Sequence, residues 1–168
     1  MWTGLRTTHF APCNGFTLIE LVVTLAILGL LAAVAMPMVE LTVQRGKEQD
    51  LRADLREMRT AIDAYHAAQV DGRIVMEANG NGYPPDLKTL VDGVTDMSDS
   101  SGKKTLYFLR RIPRDPMSDE PQSVPAHETW GLRSYESPPD NPQSGRDVFD
   151  VFSKSDKIGL NGRPYREW

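Results

Sequence analysis

The 168-residue chain carries a net charge of -4, is 40% hydrophobic, and holds 12 prolines, 13 glycines and one cysteine. That length allows one domain plus an apolar segment, and because much of the hydrophobic content sits in residues 16–39, only a small soluble core is expected. The acidic balance argues against a nucleic-acid-binding surface, and a single cysteine, Cys13, excludes an intramolecular disulfide.

Residues 1–15 read as a polar leader whose only basic residue is Arg6. From Phe16 to Val39 the chain is apolar with Glu20 as its only charge. A bilayer core needs about 20 apolar residues as a helix, so the run is long enough to span. A carboxylate inside a span costs a few kcal/mol and is read as functional by default. Two readings follow from the residues alone. One is a secretory signal peptide cut near Ala33-Val34-Ala35, against which stand the lone Arg6, the length of the run and the placement of Glu20. The other is a plain membrane anchor in which Glu20 marks the interface.

Gly15-Phe16-Thr17-Leu18-Ile19-Glu20 ahead of a long apolar run resembles the N-terminal processing motif of type IV pilin-like proteins. The resemblance implies that a dedicated prepilin peptidase cuts between Gly15 and Phe16, that Phe16 is then N-methylated, and that the leader 1–15 stays in the cytoplasm. Cutting creates an α-amino group with an ordinary pKa near 8, and methylation keeps its charge. A buried carboxylate needs a partner, and this amine is the nearest cation the segment offers to Glu20. The resemblance implies that the amine belongs to a neighbouring subunit, so that the pair sets register in a filament. An intrachain pair at i,i+4 spacing is the alternative. Basic residues are more numerous after the span (Arg45, Lys47, Arg52) than before it (Arg6), which by the positive-inside rule would keep the C-terminal part cytoplasmic. The processing motif implies the opposite: a single pass through the bacterial inner membrane, with residues 72–168 periplasmic.

Beyond the span, Leu51, Leu55, Met58, Ile62 and Tyr65 form an amphipathic stripe, with Glu48, Asp50, Arg52, Asp54, Arg56, Glu57, Arg59 and Asp63 assigned to the other faces. Asp71-Gly72 is a stop signal. One helix from Thr17 to Val70 is therefore expected, with residues 16–39 as membrane or filament core and 40–71 as its amphipathic continuation. Gly29 and Pro37 are expected to kink or loosen it. They are either tolerated in a membrane helix or, as the resemblance implies, bound a segment that melts when subunits leave the bilayer.

Residues 72–168 read as a small α+β domain. Asn79-Gly80-Asn81-Gly82 is a turn cluster. Tyr83 to Val91 predicts a short helix with proline in its first turn. Met97 to Lys104 predicts a mobile loop, Thr105 to Leu109 a strand, Thr129–Ser134 a strand within a long loop, and Asp147 to Ser153 another strand. The expected fold is α+β, a long N-terminal helix packed on a small antiparallel sheet with a loop-rich C-terminus. The order Y-P-x-x-L-x-x-L (83–90), R-R-I-P-x-D-P (110–116), D-V-F-S (150–153) and Trp168 looks like the major pseudopilin of type II secretion systems. In that family the C-terminal loop binds calcium. Here Asp156 is the only acidic residue that matches, and Arg163-Pro164-Tyr165-Arg166-Glu167 replaces the expected run of acids. Calcium prefers six to eight oxygens, several of them charged, so Asp156, Asn161 and backbone carbonyls make a poor site. No cofactor is expected, and packing by Arg163, Tyr165 and Trp168 is the alternative hold on the loop.

His9, His66 and His127 are scattered, and no catalytic or nucleotide-binding motif is present, so no enzyme is expected. Arg110, Arg111 and Arg114 read as a solvated strand end or as partners of Asp115. The resemblance implies a structural pseudopilin that polymerises into a periplasmic filament and supports protein export. The implied partners are other copies, other pseudopilins, the prepilin peptidase, the inner-membrane assembly platform and the membrane, with no nucleic acid. The alternatives are a minor pilin or pseudopilin that initiates or caps a filament, and a monomeric anchored binding domain.

Overall fold

The computed structural model describes residues 15–75 and 80–168, the side chains of Val34, Met36 and Pro37 excepted. The leader up to Asn14, with Arg6, His9 and Cys13, and Asn79 of the turn cluster lie outside the described residues. The chain divides into two units, residues 1–42 and 43–168, and helix α1 contributes to both.

Helix α1 runs over 53 residues, Leu18–Val70, unbroken through Gly29 and Pro37. In the first unit every described side chain from Phe16 onward is exposed, as expected of a segment whose whole circumference is apolar. In the second unit the helix becomes one-sided, and its end falls where Asp71-Gly72 predicts. Gly72 adopts φ 70°, which a side chain would strain. Its N–H bonds to the Gln69 carbonyl (3.0 Å) and the Arg73 N–H to the Ala68 carbonyl (2.8 Å), the bond pair of a Schellman cap.

The predicted stripe is the core of the second unit: Leu51, Leu55, Met58, Ile62 and Tyr65 are all buried. They pack with Leu87, Leu90, Trp130, Val148 and Val151, and each large apolar side chain taken from water is worth about 1.5–3 kcal/mol. One assignment fails. Glu48, placed among the polar faces by its charge, is 4% exposed. Carrying the three-and-four spacing back from Leu51 reaches Glu48 and then Gln44, so both belong geometrically to the buried stripe.

The helix expected over 83–91 is shorter, α2 Thr89–Asp92. Both prolines precede it, because the Asp86 carboxylate accepts from the Thr89 N–H and hydroxyl (2.8 Å each) and fixes the start there. The Pro84 carbonyl is used elsewhere, accepting from the Val148 N–H at 2.8 Å.

The strands form two separate antiparallel pairs, β1 Val94–Thr95 with β2 Thr105–Leu106, and β3 Trp130–Arg133 with β4 Asp150–Ser153. The strand expected over 105–109 stops at Leu106 because the N–H groups of Phe108 and Leu109 both turn to the Leu90 carbonyl (3.0 and 2.9 Å). The strand expected over 147–153 begins only at Asp150; the Asp147 side chain instead accepts from the Ser134 hydroxyl (2.8 Å) and the Tyr135 N–H (2.8 Å). In the β3–β4 pair Gly131 lies opposite Phe152, whose ring fills the space a Cβ would need.

Residues 97–104 fold around two aspartates. Asp96 is fully buried and meets Arg73 (2.9 Å), Lys104 (3.3 Å) and the Ser98 hydroxyl (2.6 Å). Those contacts, the Arg73 hydrogen bond first, hold its carboxyl well below the usual range. Asp99 accepts from Ser101 (2.5 Å to its hydroxyl) and from the Lys104 N–H (3.1 Å).

Candidate functional site

Thr17 starts α1. Its carbonyl accepts the first helical bond, from the Leu21 N–H (3.2 Å), and its hydroxyl accepts the Glu20 N–H (3.3 Å). Thr17-Leu18-Ile19-Glu20 thus has the T-x-x-E spacing of a capping box, with the cap's half of the exchange made. Glu20 is the acidic residue of the first turn, where free N–H groups favour a negative charge by about 0.3–1 kcal/mol. Phe16 sits one residue ahead of the cap, outside the helix and 84% exposed. Phe16 thus precedes the helix and Glu20 lies in its first turn, four residues on.

Downstream of this cap, Leu18 and Ile19, then Leu25, Leu28, Leu30 and Leu31, are all exposed. Within α1 an 18-residue window reaches a mean hydropathy of 2.6 with none of it buried. A continuous apolar surface of this size, far above the few hundred Å² that a soluble monomer normally shows, needs lipid or another protein to cover it. The motif therefore joins a capped helix start, one carboxylate and a fully apolar shaft. Gly15 and Phe16, the expected cleavage pair, are both exposed immediately before it.

Asp156 and Asn161 are each engaged within the tail. Asp156 bonds to the Arg166 guanidinium (2.9 Å), and the Asn161 side-chain oxygen accepts the Arg163 N–H (3.0 Å). Among the described residues no group of three or more His, Cys, Asp or Glu side chains is placed to hold a metal. What holds the tail is Glu48. One carboxylate oxygen accepts from the Leu160 N–H (2.8 Å), the Tyr165 hydroxyl (2.9 Å) and Gln44 Nε2 (3.3 Å). Burial raises the Tyr165 phenol, which keeps it protonated as the donor in this contact. Arg59 adds a second tie, donating to Asp150 (2.7 Å), the Val151 carbonyl (3.1 Å) and the Trp168 main-chain oxygen (3.0 Å). The Trp168 ring packs edge-on against Tyr165 with centroids 5.1 Å apart.

The remaining candidates have ordinary roles. His66 stacks on Tyr83 at 4.4 Å, and His127 lies 3.5 Å from Glu128. Arg114 does not pair directly with Asp115. It donates to the carbonyls of Val124, Glu120 and Pro121, each at 2.7 Å, while Asp115 accepts from the Ser153 hydroxyl at 2.7 Å.

Asp54 is the perturbed acid of the helix. Burial, reinforced by Asp50, Glu57 and Asp115 and opposed by Arg111, pushes it up to about 6. The folded state then binds a proton more readily than the unfolded state, so stability falls as pH rises from about 4 to about 6 and stays reduced above. Asp54→Asn is expected to stabilise the detergent-solubilised chain at pH 7 by about 1 kcal/mol, the discounted value for a solvent-screened group. The gain should vanish below about pH 4. Melting curves at pH 3.5 and 7 check this, and equal shifts at both would contradict it.

Residues 11–36 match the family described as the prokaryotic N-terminal methylation motif. The chain is 35% identical over 83 residues to the type IV major pilin protein PilA of Myxococcus xanthus, a match over 49% of this chain and 37% of that protein. It is 26% identical over 130 residues to the type II secretion system core protein G of Pectobacterium carotovorum subsp. carotovorum, a match over 76% of each. With the protein of the same name from Klebsiella pneumoniae it shares 25% identity over 139 residues, 80% of this chain and 91% of that one. The chain thus spans little more than a third of the first of these relatives and most of the other two. No solved structure matches it.

Proposed function

We infer that this pilin-like chain is a structural filament subunit, processed between Gly15 and Phe16 and polymerised into the periplasmic pseudopilus of a type II secretion system. The observation that carries the reading is the exposed apolar shaft of α1 with a single carboxylate in its first turn. Lipid covers that shaft before assembly, and the shafts of other copies cover it afterwards. The cleaved and methylated amine of Phe16 supplies the cation that Glu20 lacks in an apolar surround, the partner being a neighbouring copy. The prepilin peptidase, the assembly platform and other pseudopilins are the partners this route requires, and no chemistry is asked of the chain itself. Secretion is favoured over a motility pilus because the core G proteins align over most of their length while the pilin aligns over 37% of its own. An acidic residue at position 20 favours a body subunit over a tip subunit.

Mass spectrometry of the chain taken from membranes tests the first step. The expected result is a polypeptide starting at N-methylated Phe16. A start at Met36 would make it a secreted protein, and an intact Met1 start would make it a plain anchor.

A further inference from the structure

Outside the N-terminal motif, the unexplained feature of the second unit is the arrangement of charge along α1. At about 100° per residue, the buried stripe through Leu51, Leu55 and Met58 runs between two rows. Asp50, Asp54 and Glu57 line one flank, and Arg52, Arg56 and Arg59 line the other. Each acid lies two residues, about 200°, from one arginine of the other row, so the rows occupy opposite flanks and approach each other only at Arg56 and Glu57, which share a surface depression with Phe108 and Arg110. Among the described residues none of Asp50, Asp54, Glu57 and Arg56 forms an ion pair within its own chain. The arginine row borders a groove of about 270 Å³ that Arg163, Glu167 and Trp168 also line, Glu167 lying 3.4 Å from the Arg163 guanidinium. Arg52 lies over the Trp168 ring at 4.3 Å, and a stacked guanidinium keeps its in-plane N–H fork for a carboxylate.

We propose that copies of this chain dock head-to-tail through these flanks, the groove of Arg52, Arg56 and Arg163 on one copy receiving the Asp50, Asp54 and Glu57 row of the next. The proposal rests on the filament reading and adds the surface by which periplasmic domains meet. Three observations favour a second copy as the occupant. The two rows share the same four-then-three spacing, so they run side by side on parallel helices, the orientation a common membrane anchor imposes. Complementary patches on opposite flanks cannot both be used in a twofold pair, and a heterologous contact of this kind propagates into an open chain. Within one copy Asp54 is raised first by burial and then by Asp50, Glu57 and Asp115, with Arg111 only partly opposing them, so the row keeps a net repulsion. A guanidinium arriving from outside relieves it.

The test uses the full chain in membranes that carry its assembly machinery, with a bifunctional amine-reactive crosslinker, which joins exposed lysines such as Lys47, Lys88, Lys154 and Lys157 at several points per chain and so yields a ladder, as the reporter of subunit contact. Arg56→Glu and Glu57→Arg are each expected to cut the crosslinked ladder roughly fivefold or more, the equivalent of about 1 kcal/mol per contact. The double reversal Arg56→Glu with Glu57→Arg, made in the same chain, should bring the ladder back to within about twofold of the parent, since the contact is charge-matched again. Neither side chain is bonded within its own chain, so melting temperatures should stay at the parent value and separate docking from folding. A ladder unchanged in the single variants, or not restored in the double, overturns the docking while the filament stands. No ladder in the parent overturns both.

Discussion

Replacing Glu20 by Gln is expected to abolish filament formation while leaving the chain inserted in the membrane. Gln keeps the volume and polarity of the side chain but removes its charge. The helix start survives, because the Thr17 hydroxyl caps the main-chain N–H of residue 20 and not its carboxylate. What is lost, under the proposed assembly, is the counter-charge for the amine of a neighbouring copy. Removing one member of a pair buried in apolar surroundings costs about 3–5 kcal/mol, because the other charge is left uncompensated. At about 1.4 kcal/mol per tenfold, each subunit addition is weakened by a factor on the order of a hundred to a few thousand. A polymer built by repeated addition does not survive that loss. Shear fractions probed for the protein should be empty while membrane fractions hold the normal amount. Filaments of the Glu20→Gln chain at parental yield would rule out the charge pair, and with it the assembly role given to the motif.

Replacing Glu48 by Ala is expected to loosen the domain. The substitution strands the Tyr165 hydroxyl and the Leu160 N–H, both of which end on one carboxylate oxygen. Each buried donor left unsatisfied costs about 1–3 kcal/mol, so a total loss of about 3 kcal/mol is expected. For a domain of this size that corresponds to a fall in melting temperature on the order of 10 °C. Tyr165→Phe removes the donation to Glu48 and the acceptance from Gln44 and should cost about 1.5 kcal/mol, half of that shift. Circular dichroism melts of the detergent-solubilised variants check both. A Glu48→Ala chain melting within about 2 °C of the parent would show that the carboxylate is dispensable.

The legible parts of this protein are those written in local periodicity. Helix α1 follows from an apolar run, a stripe at three-and-four spacing and a glycine stop, each contained within a few turns. The core residues Leu51 to Tyr65 come with it. The same register read two steps further back reaches Glu48 and Gln44, but the charge of Glu48 points to a polar face and conceals its burial. Elements after Gly72 are harder because their limits are set by partners far along the chain. The strand expected over 105–109 stops where Leu90 takes two N–H groups, and α2 starts where the Asp86 carboxylate takes the Thr89 N–H. Neither competitor leaves a trace in hydrophobic pattern. The processing motif is legible because its chemistry needs one contiguous stretch, whereas the hold on the tail joins residues 117 positions apart.

That separation has a consequence for biosynthesis. Glu48 is translated early and follows directly on the segment that enters the bilayer, whereas Tyr165 leaves the ribosome more than a hundred residues later. During that interval Glu48 has Gln44 of its own helix as a donor but neither the Leu160 N–H nor the Tyr165 hydroxyl. The domain closes only when its final stretch arrives. Closure of the second unit thus depends on a contact that can form only late in synthesis.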